Sequence, residues 1–241
     1  MKLAIIHEDE HYIAFNKPSG LLSIPDRFDA DAPNLYKIAL NKYPGILPVH
    51  RLDKDTSGII IYAKDEESHK YLSQLFENRG VEKYYLALVN GRLLKAEGTI
   101  KEPIAENMAR RGSMLVHKRG KQAHTDYTVV QEWAQYSLVR LQLHTGRTHQ
   151  IRVHMQYIGH PVVGDKLYGN GKGILLSQIK KKYKNTDPLG EEKPILGRLA
   201  LHAAALRFPH SDGSMISIEA PLPKDMHAAV QQLEKWSKLD S

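Results

Sequence analysis

The chain has 241 residues, with 34 Lys and Arg against 27 Asp and Glu, a formal net charge of +7, and 41% hydrophobic and 25% charged residues. That length supports one substantial core or two smaller ones, and the balance of residue types is that of an ordinary globular chain. The absence of cysteine excludes disulfide scaffolds, thiol nucleophiles and cysteine metal sites. No apolar run approaches membrane-spanning length and residues 1–9 lack the apolar core of a secretory signal, so an intracellular, cytoplasmic protein without a membrane partner is expected. The positive excess suits a polyanionic partner.

Residues 3–6 and 11–15 read as two short strands, the second broken by Asn16-Lys17-Pro18-Ser19-Gly20. Residues 21–33 form a polar loop, after which Asn34 caps a helix carrying Leu35, Ile38 and Ala39 as far as Pro44-Gly45. The stretch His50-Arg51-Leu52-Asp53-Lys54-Asp55-Thr56-Ser57-Gly58 reads as a loop punctuated by Pro48 and Gly58, leading into a strand at 59–63. Asp65 caps the next helix, with Glu66 and Glu67 in its first turn, an apolar stripe of Leu72, Leu75 and Phe76, and Gly80 as its end. A strand follows at 84–89.

Basic residues crowd the segment 107–124: Arg110, Arg111, His117, Lys118, Arg119, Lys121 and His124. A hairpin or loop of this kind can follow a phosphate backbone, or simply be a solvated face. Strands are expected at 124–132, 136–143, 199–208 and 214–220. Thr148 is placed as the cap of a helix bearing Ile151, Met155 and Ile158 and stopped by Gly159, with Arg152 in its first turns directed at a carboxylate beyond it. Residues 170–196 read as an insertion or mobile excursion with a short helix near 174–183. A last helix, 224–238, packs through Met226, Val230, Leu233 and Trp236. Consecutive strands of this kind predict an α+β fold, a mixed, largely antiparallel sheet flanked by helices and loops, in one domain spanning 1–241.

Taken alone, the 50–58 loop fits a surface turn in which Asp53 or Asp55 bonds nearby amides and Arg51 forms an ion pair. It fits equally a loop that presents reactive groups from a rigid scaffold. Its His-Arg-Leu-Asp followed by Lys-Asp-Thr-Ser-Gly resembles the signature of the RluA-like family of RNA pseudouridine synthases. Residues 16–20, 83–91, 145–154, 159–165 and 198–203 are similar to further family stretches in the same order. The resemblance runs from Asn16 to about Pro221. It implies a pseudouridine synthase-like fold and isomerisation of a specific uridine in structured rRNA or tRNA, with RNA as partner, no obligate protein partner and no metal or cofactor. The S4-like RNA-binding domain that often precedes the family's catalytic domain is not expected here.

The same resemblance assigns the site. Asp53 is implied as the nucleophile, with Asp55 left as a turn-stabilising residue. Arg152 is implied as the basic residue that pairs with the nucleophile, offsetting the desolvation that would otherwise raise its pKa. Arg147 is the competing arginine, suited to phosphate. Tyr85 is implied as the active-site tyrosine that stacks on the target base; a one-residue slip to Tyr84 would reverse the face presented. Arg51 resembles the arginine that fills the space a flipped base leaves, and His50 organises the loop. Arg110, Arg111, Lys118 and Arg119 are the candidate phosphate contacts.

Other classes fit less well. His144, His149 and His154 fall five apart, whereas two helical metal ligands need a separation of three or four, and His-Glu-x-x-His is absent. A kinase catalytic loop would need a later metal-binding Asn and a glycine-rich loop, and residues 169–173 lack the spacing of a P-loop. A non-catalytic RNA-binding module is the remaining alternative.

Overall fold

A computed structural model describes residues 3–26, 29, 31–181, 183 and 190–239. In chain order the elements are β1 (Ile5–Glu8), β2 (Tyr12–Lys17), α1 (Leu35–Lys42), β3 (Leu47–Pro48), β4 (Ser57–Ala63), α2 (Glu66–Glu77), β5 (Glu82–Asn90) and β6 (Glu97–Ile100). Then follow β7 (Ile104–Glu106), β8 (Met114–Val116), β9 (Thr125–Glu132), β10 (Tyr136–Leu143), α3 (Gln150–Tyr157), α4 (Leu176–Ile179), β11 (Leu201–Pro209), β12 (Met215–Glu219) and α5 (Lys224–Trp236). They fall into two compact units, Met1–Tyr85 with His202–Pro221, and Leu86–Leu201 with Leu222–Ser241.

In the first unit the strands run β1-β2-β4-β11, with β12 on β11 and β3 on the far end of β4. All these pairings are antiparallel except β4 with β11. β4, SGIIIYA, is buried along its whole length, so it reads as a continuous apolar run rather than an alternation. Its two faces feed separate cores: Ile59 and Ile61 pack with Tyr12, Leu72 and Phe208, while Ile60 and Tyr62 pack with Phe15, Leu35 and Ala39. α1 and α2 thus cover opposite faces of one sheet. Their caps are those the sequence implies: Asn34 accepts from the Lys37 N–H at 2.9 Å and Asp65 from the Ser68 N–H at 2.8 Å.

Two glycine expectations need correction here. Gly58 does not end the loop; it lies inside β4 at φ +116°, where a Cβ would meet the Ala203 carbonyl oxygen at 2.2 Å. Only glycine allows that parallel contact. At the end of α2 the left-handed residue is Arg79, φ 62°, while Gly80 donates its N–H back to the Leu75 carbonyl at 2.7 Å.

In the second unit the order is β5-β10-β9-β6, and β7 with β8 forms a separate two-stranded sheet. β9 pairs antiparallel with both β10 and β6. The basic segment is the β7–β8 hairpin and the turn after it, so the structure takes the hairpin form of the expectation. The observed β9, β10, β11 and β12 match the expected strands to within two residues at either end. Mixed pairing with an antiparallel majority is the fold class read from the sequence.

Thr148 is not the cap of α3. His149 occupies that position in the left-handed conformation, φ 55°, with no side-chain cap bond, and the Gln150 side chain instead fixes the residues that precede the helix. Its Oε1 accepts from the Arg147 N–H at 3.0 Å and the Thr145 hydroxyl at 2.7 Å. The helix expected near 174–183 shrinks to α4; Lys182 and residues 184–189 of that excursion lie outside the described residues, as do 27, 28 and 30 of the earlier polar loop. α5 buries Met226, Ala229 and Leu233, but Trp236 is 39% exposed, its ring met by the Lys180 and Lys235 ammonium groups at 4.7 and 4.9 Å. Cation–π contact, not core packing, holds it. Among the described residues no helix is long and apolar enough to cross a membrane.

Candidate active site

The loop between β3 and β4 has no regular structure of its own, and its shape comes from an earlier segment. Ser23, 3% exposed, accepts the Leu52 N–H on its Oγ at 3.0 Å and donates to the Leu52 carbonyl at 2.8 Å. The Asp53 carbonyl accepts the Thr56 N–H at 3.1 Å. The Lys54 carbonyl accepts the Gly20 N–H and the Lys17 Nζ, both at 2.9 Å, and the Asp55 carbonyl accepts the Ser19 hydroxyl at 2.6 Å. Four successive carbonyls are thereby fixed on both sides of the Asp53 side chain.

Lys17 is fully buried, and its ammonium reaches two further carbonyls, Pro18 at 3.0 Å and Leu21 at 2.7 Å. Those three acceptors match its three N–H donors. A buried cation is tolerable only when so satisfied. Asp55 serves the turn through its carbonyl, and its side chain is exposed.

From the other side, β5 supplies alternate residues to the loop. Tyr84 bonds Glu82 through its hydroxyl at 2.9 Å and lies under the Arg207 guanidinium at 5.8 Å. Lys83 and Tyr85 take the opposite face, as period-2 alternation requires. Burial, and after it the Asp53 charge, pushes the Tyr85 phenol above the ordinary range, so it stays protonated at neutral pH. Asp53 and Tyr85 are thus within each other's electrostatic reach. Lys83 is itself buried and its pKa is lowered, first by burial and then by Arg79.

His50 is the organising residue expected. Its Nε2 accepts the Ile61 N–H at 3.1 Å, which ties the loop to β4, and its ring stacks on Phe76 at 4.7 Å. Burial, with the Lys83 charge added, lowers its pKa to about 3. The ring is therefore neutral and can remain an acceptor. Arg51 projects outward beside a cavity of about 210 Å³ that Ser23, Pro25 and Asp26 also line.

Arg152 and Arg147 belong to the second unit. Arg152 is 5% exposed on α3, and its guanidinium makes a bidentate pair with Asp165, Nε to Oδ2 at 2.7 Å and one terminal nitrogen to Oδ1 at 2.9 Å. The Tyr168 ring lies 5.0 Å from it. Burial would raise the Asp165 pKa, but Arg152 and the N–H groups of Tyr168 and Leu167 hold it below the usual carboxylate value. The carboxylate gripped here is Asp165, which the sequence reading did not name as a partner. Arg147 donates its Nε to the Gln122 carbonyl at 3.0 Å.

Arg110 and Arg111 lie in the loop of the β7–β8 hairpin, Lys118 and Arg119 in the turn after it, and all four are exposed. Arg110 turns back to donate to the Leu167 and Lys166 carbonyls at 2.7 and 3.3 Å, so it braces the hairpin against the segment that carries Asp165. The histidines divide in the same way. His149 bonds the Tyr168 hydroxyl at 2.8 Å, and His154 uses both ring nitrogens, on Thr125 at 2.9 Å and the Glu102 carbonyl at 3.0 Å. These two are satisfied structural residues.

Sequence reasoning missed Ser23, Lys17 and Gln150. Gln150 uses both ends of its amide, donating to the His124 carbonyl at 3.0 Å and the Thr125 hydroxyl at 2.9 Å while accepting at Oε1. The one available signal was position, since Lys17 and Gln150 lie inside the matched motifs. The family profile described as RNA pseudouridylate synthase matches residues 11–157, which contain Asp53, Tyr85 and Arg152. The uncharacterized RNA pseudouridine synthase YlyB of Bacillus subtilis is 38% identical over 98% of this chain and 74% of its own length. The ribosomal large subunit pseudouridine synthase D of Haemophilus ducreyi is 36% identical over 96% of this chain and 71% of its own. The solved structure of human RNA pseudouridylate synthase domain containing 1 superposes with a TM-score of 0.70 at 27% identity, covering 99% of this chain and 97% of that one. With the profile over more than half the chain and relatives above one-third identity along nearly all of it, the chain belongs to the RNA pseudouridylate synthase family and is an RNA pseudouridine synthase.

Proposed function

We propose that this enzyme isomerises a uridine in structured ribosomal or transfer RNA, with Asp53 as nucleophile on a flipped nucleotide. Ribosomal large-subunit RNA is the first candidate substrate, because that is the RNA named for several relatives. The observation that carries the reading is the Asp53 backbone, held at four consecutive carbonyls, with a protonated tyrosine in the field of its side chain. A nucleophile held in this way needs little reorganisation when substrate arrives.

The reaction breaks the bond between ribose C1′ and uracil N1, turns the base, and joins C1′ to C5; C5 gives up a proton and N1 gains one. A carboxylate forms the transient covalent bond, to sugar or to ring, and leaves when the new bond closes. Tyr85, neutral, offers an aromatic face to the base and an O–H for hydrogen bonding rather than a phenolate. Arg152 is the proposed basic residue of the reaction. Arg51, exposed beside the loop, fills the space the base leaves, offsetting an unstacking cost of a few kcal/mol. Arg147, Arg111, Lys118 and Arg119 are the proposed phosphate contacts.

Pseudouridine mapping in cellular RNA, with and without the protein, identifies the site. Restoring wild type should return the modification, whereas Asp53→Asn should bind the RNA and leave the uridine unmodified. Restoration by the Asn variant would point to a binding module and sink the assignment.

A further inference from the structure

We propose that His124, Asp126 and His144, brought together on one face of the β9–β10 sheet, form a binding site for a first-row divalent transition cation of the Zn2+ class. Nothing in the isomerisation calls for this ion, so the site is a separate property of the second unit. His124 immediately precedes β9 and Asp126 lies two residues on, inside it, so the two share a face. In the register that pairs Leu143 with Thr125 and Gln142 with Asp126, His144 stands opposite His124, and its N–H donates to the His124 carbonyl at 3.1 Å. Strand pairing thus achieves what the five-residue spacing of His144, His149 and His154 could not.

The donor atoms already converge. His124 Nε2 lies 3.0 Å from Asp126 Oδ1, His144 Nε2 lies 2.6 Å from Oδ2, and the two rings stack at 4.0 Å with 22° between their planes. All three ligand atoms lie within 4.8 Å of one another, and this is the one such cluster of three among the described residues. Ligands about 2.1 Å from a tetrahedral ion sit about 3.4 Å apart, so modest side-chain rotation admits one. Thr99, on neighbouring β6, donates its hydroxyl to Asp126 Oδ1 at 2.6 Å. That bond orients the carboxylate from behind, the usual arrangement around a ligating carboxylate.

Two imidazoles and one carboxylate favour Zn2+, Co2+ or Ni2+ over Mg2+ and Ca2+, which prefer oxygen alone. The three side chains are each about a third exposed, leaving room for water to complete the coordination. Without an ion, the carboxylate simply bridges the two rings.

Titration of the full chain with Co2+, followed by visible absorption, separates these arrangements, with Zn2+ calorimetry as a second readout. The expected result is one equivalent giving d–d bands of a low-coordinate site, Zn2+ competing for it, and a rise in melting temperature with Zn2+. His124→Gln, His144→Gln and Asp126→Asn should each weaken binding at least about tenfold, and Thr99→Val by a smaller factor. Asp126→Asn keeps the side-chain shape and the Thr99 bond, so it reads ligation without loss of fold. Absence of binding by wild type, or binding that survives unchanged in Asp126→Asn and both histidine variants, overturns the site and leaves a carboxylate-bridged histidine pair.

Discussion

Ser23 has no assigned part in the chemistry, yet it satisfies both backbone groups of Leu52, the residue between Arg51 and Asp53. Ser23→Ala leaves a buried N–H and C=O unpaired, at a cost of about 2 kcal/mol. We expect kcat to fall with RNA affinity little changed, because the loop loses its fixed shape while the phosphate contacts remain. Single-turnover rates compared with RNA binding check this, and a loss confined to RNA affinity would count against it. A serine in an irregular loop carries no periodicity, and its partner lies 29 residues away, so the sequence holds no sign of this role. Tyr85 was singled out by the resemblance, and alternation along β5 sets it with Lys83 on the face opposite Tyr84.

At the level of elements, α3 shows where local signals mislead. Thr148 has the side chain of a cap, but the Gln150 side chain ties down the chain before the helix by accepting the Arg147 N–H, and His149 adopts φ 55° between them. Such a left-handed residue costs on the order of 1 kcal/mol and persists only because its surroundings fix it, here through Tyr168. What α3 delivers is Arg152 paired to Asp165. The folded Asp165 pKa is depressed, so its contribution to stability is complete above the unfolded value of about 4 and is lost as pH falls through the folded value. Urea melts should show wild type more stable than Asp165→Asn by about 3 kcal/mol at neutral pH, with the gap narrowing below about pH 4. A gap independent of pH would mean the carboxylate charge contributes nothing. Helical register placed Arg152 in the first turns of α3, but Asp165 was not legible as a partner, since it is positioned by the turn after the helix.

At the scale of the whole chain, the net charge of +7 has a partly structural use. Arg110 donates to two carbonyls, Arg198 makes a bidentate pair with Asp225 at 2.6 and 2.7 Å, and Lys17 is interred. The residues best placed to meet phosphate are the exposed Arg111, Lys118 and Arg119 of the β7–β8 hairpin and the turn after it. Replacing these three with Gln should reduce the slope of log affinity against log salt by about 0.7 for each phosphate of single-stranded RNA that is no longer neutralised. An unchanged slope would make the hairpin an ordinary solvated face. The antiparallel majority was readable because β9, β10 and β11 alternate or run apolar over eight or nine residues. A hairpin was one of the two forms expected of the basic segment, but the bounds of β6, β7 and β8 were not readable, these strands being three or four residues long and set by pairing partners rather than by their own pattern.

The hydrogen bonds from Lys17, Ser19, Gly20 and Ser23 to residues 52–55 also bear on how this protein can be engineered. The His-Arg-Leu-Asp stretch is not a portable cassette: moved to another scaffold by itself, it would arrive without the donors that give it shape. The transplantable unit is a pair of segments, 17–23 and 50–58, joined through β2 and β4, whose pairing of Lys17 with Gly58 sets one against the other.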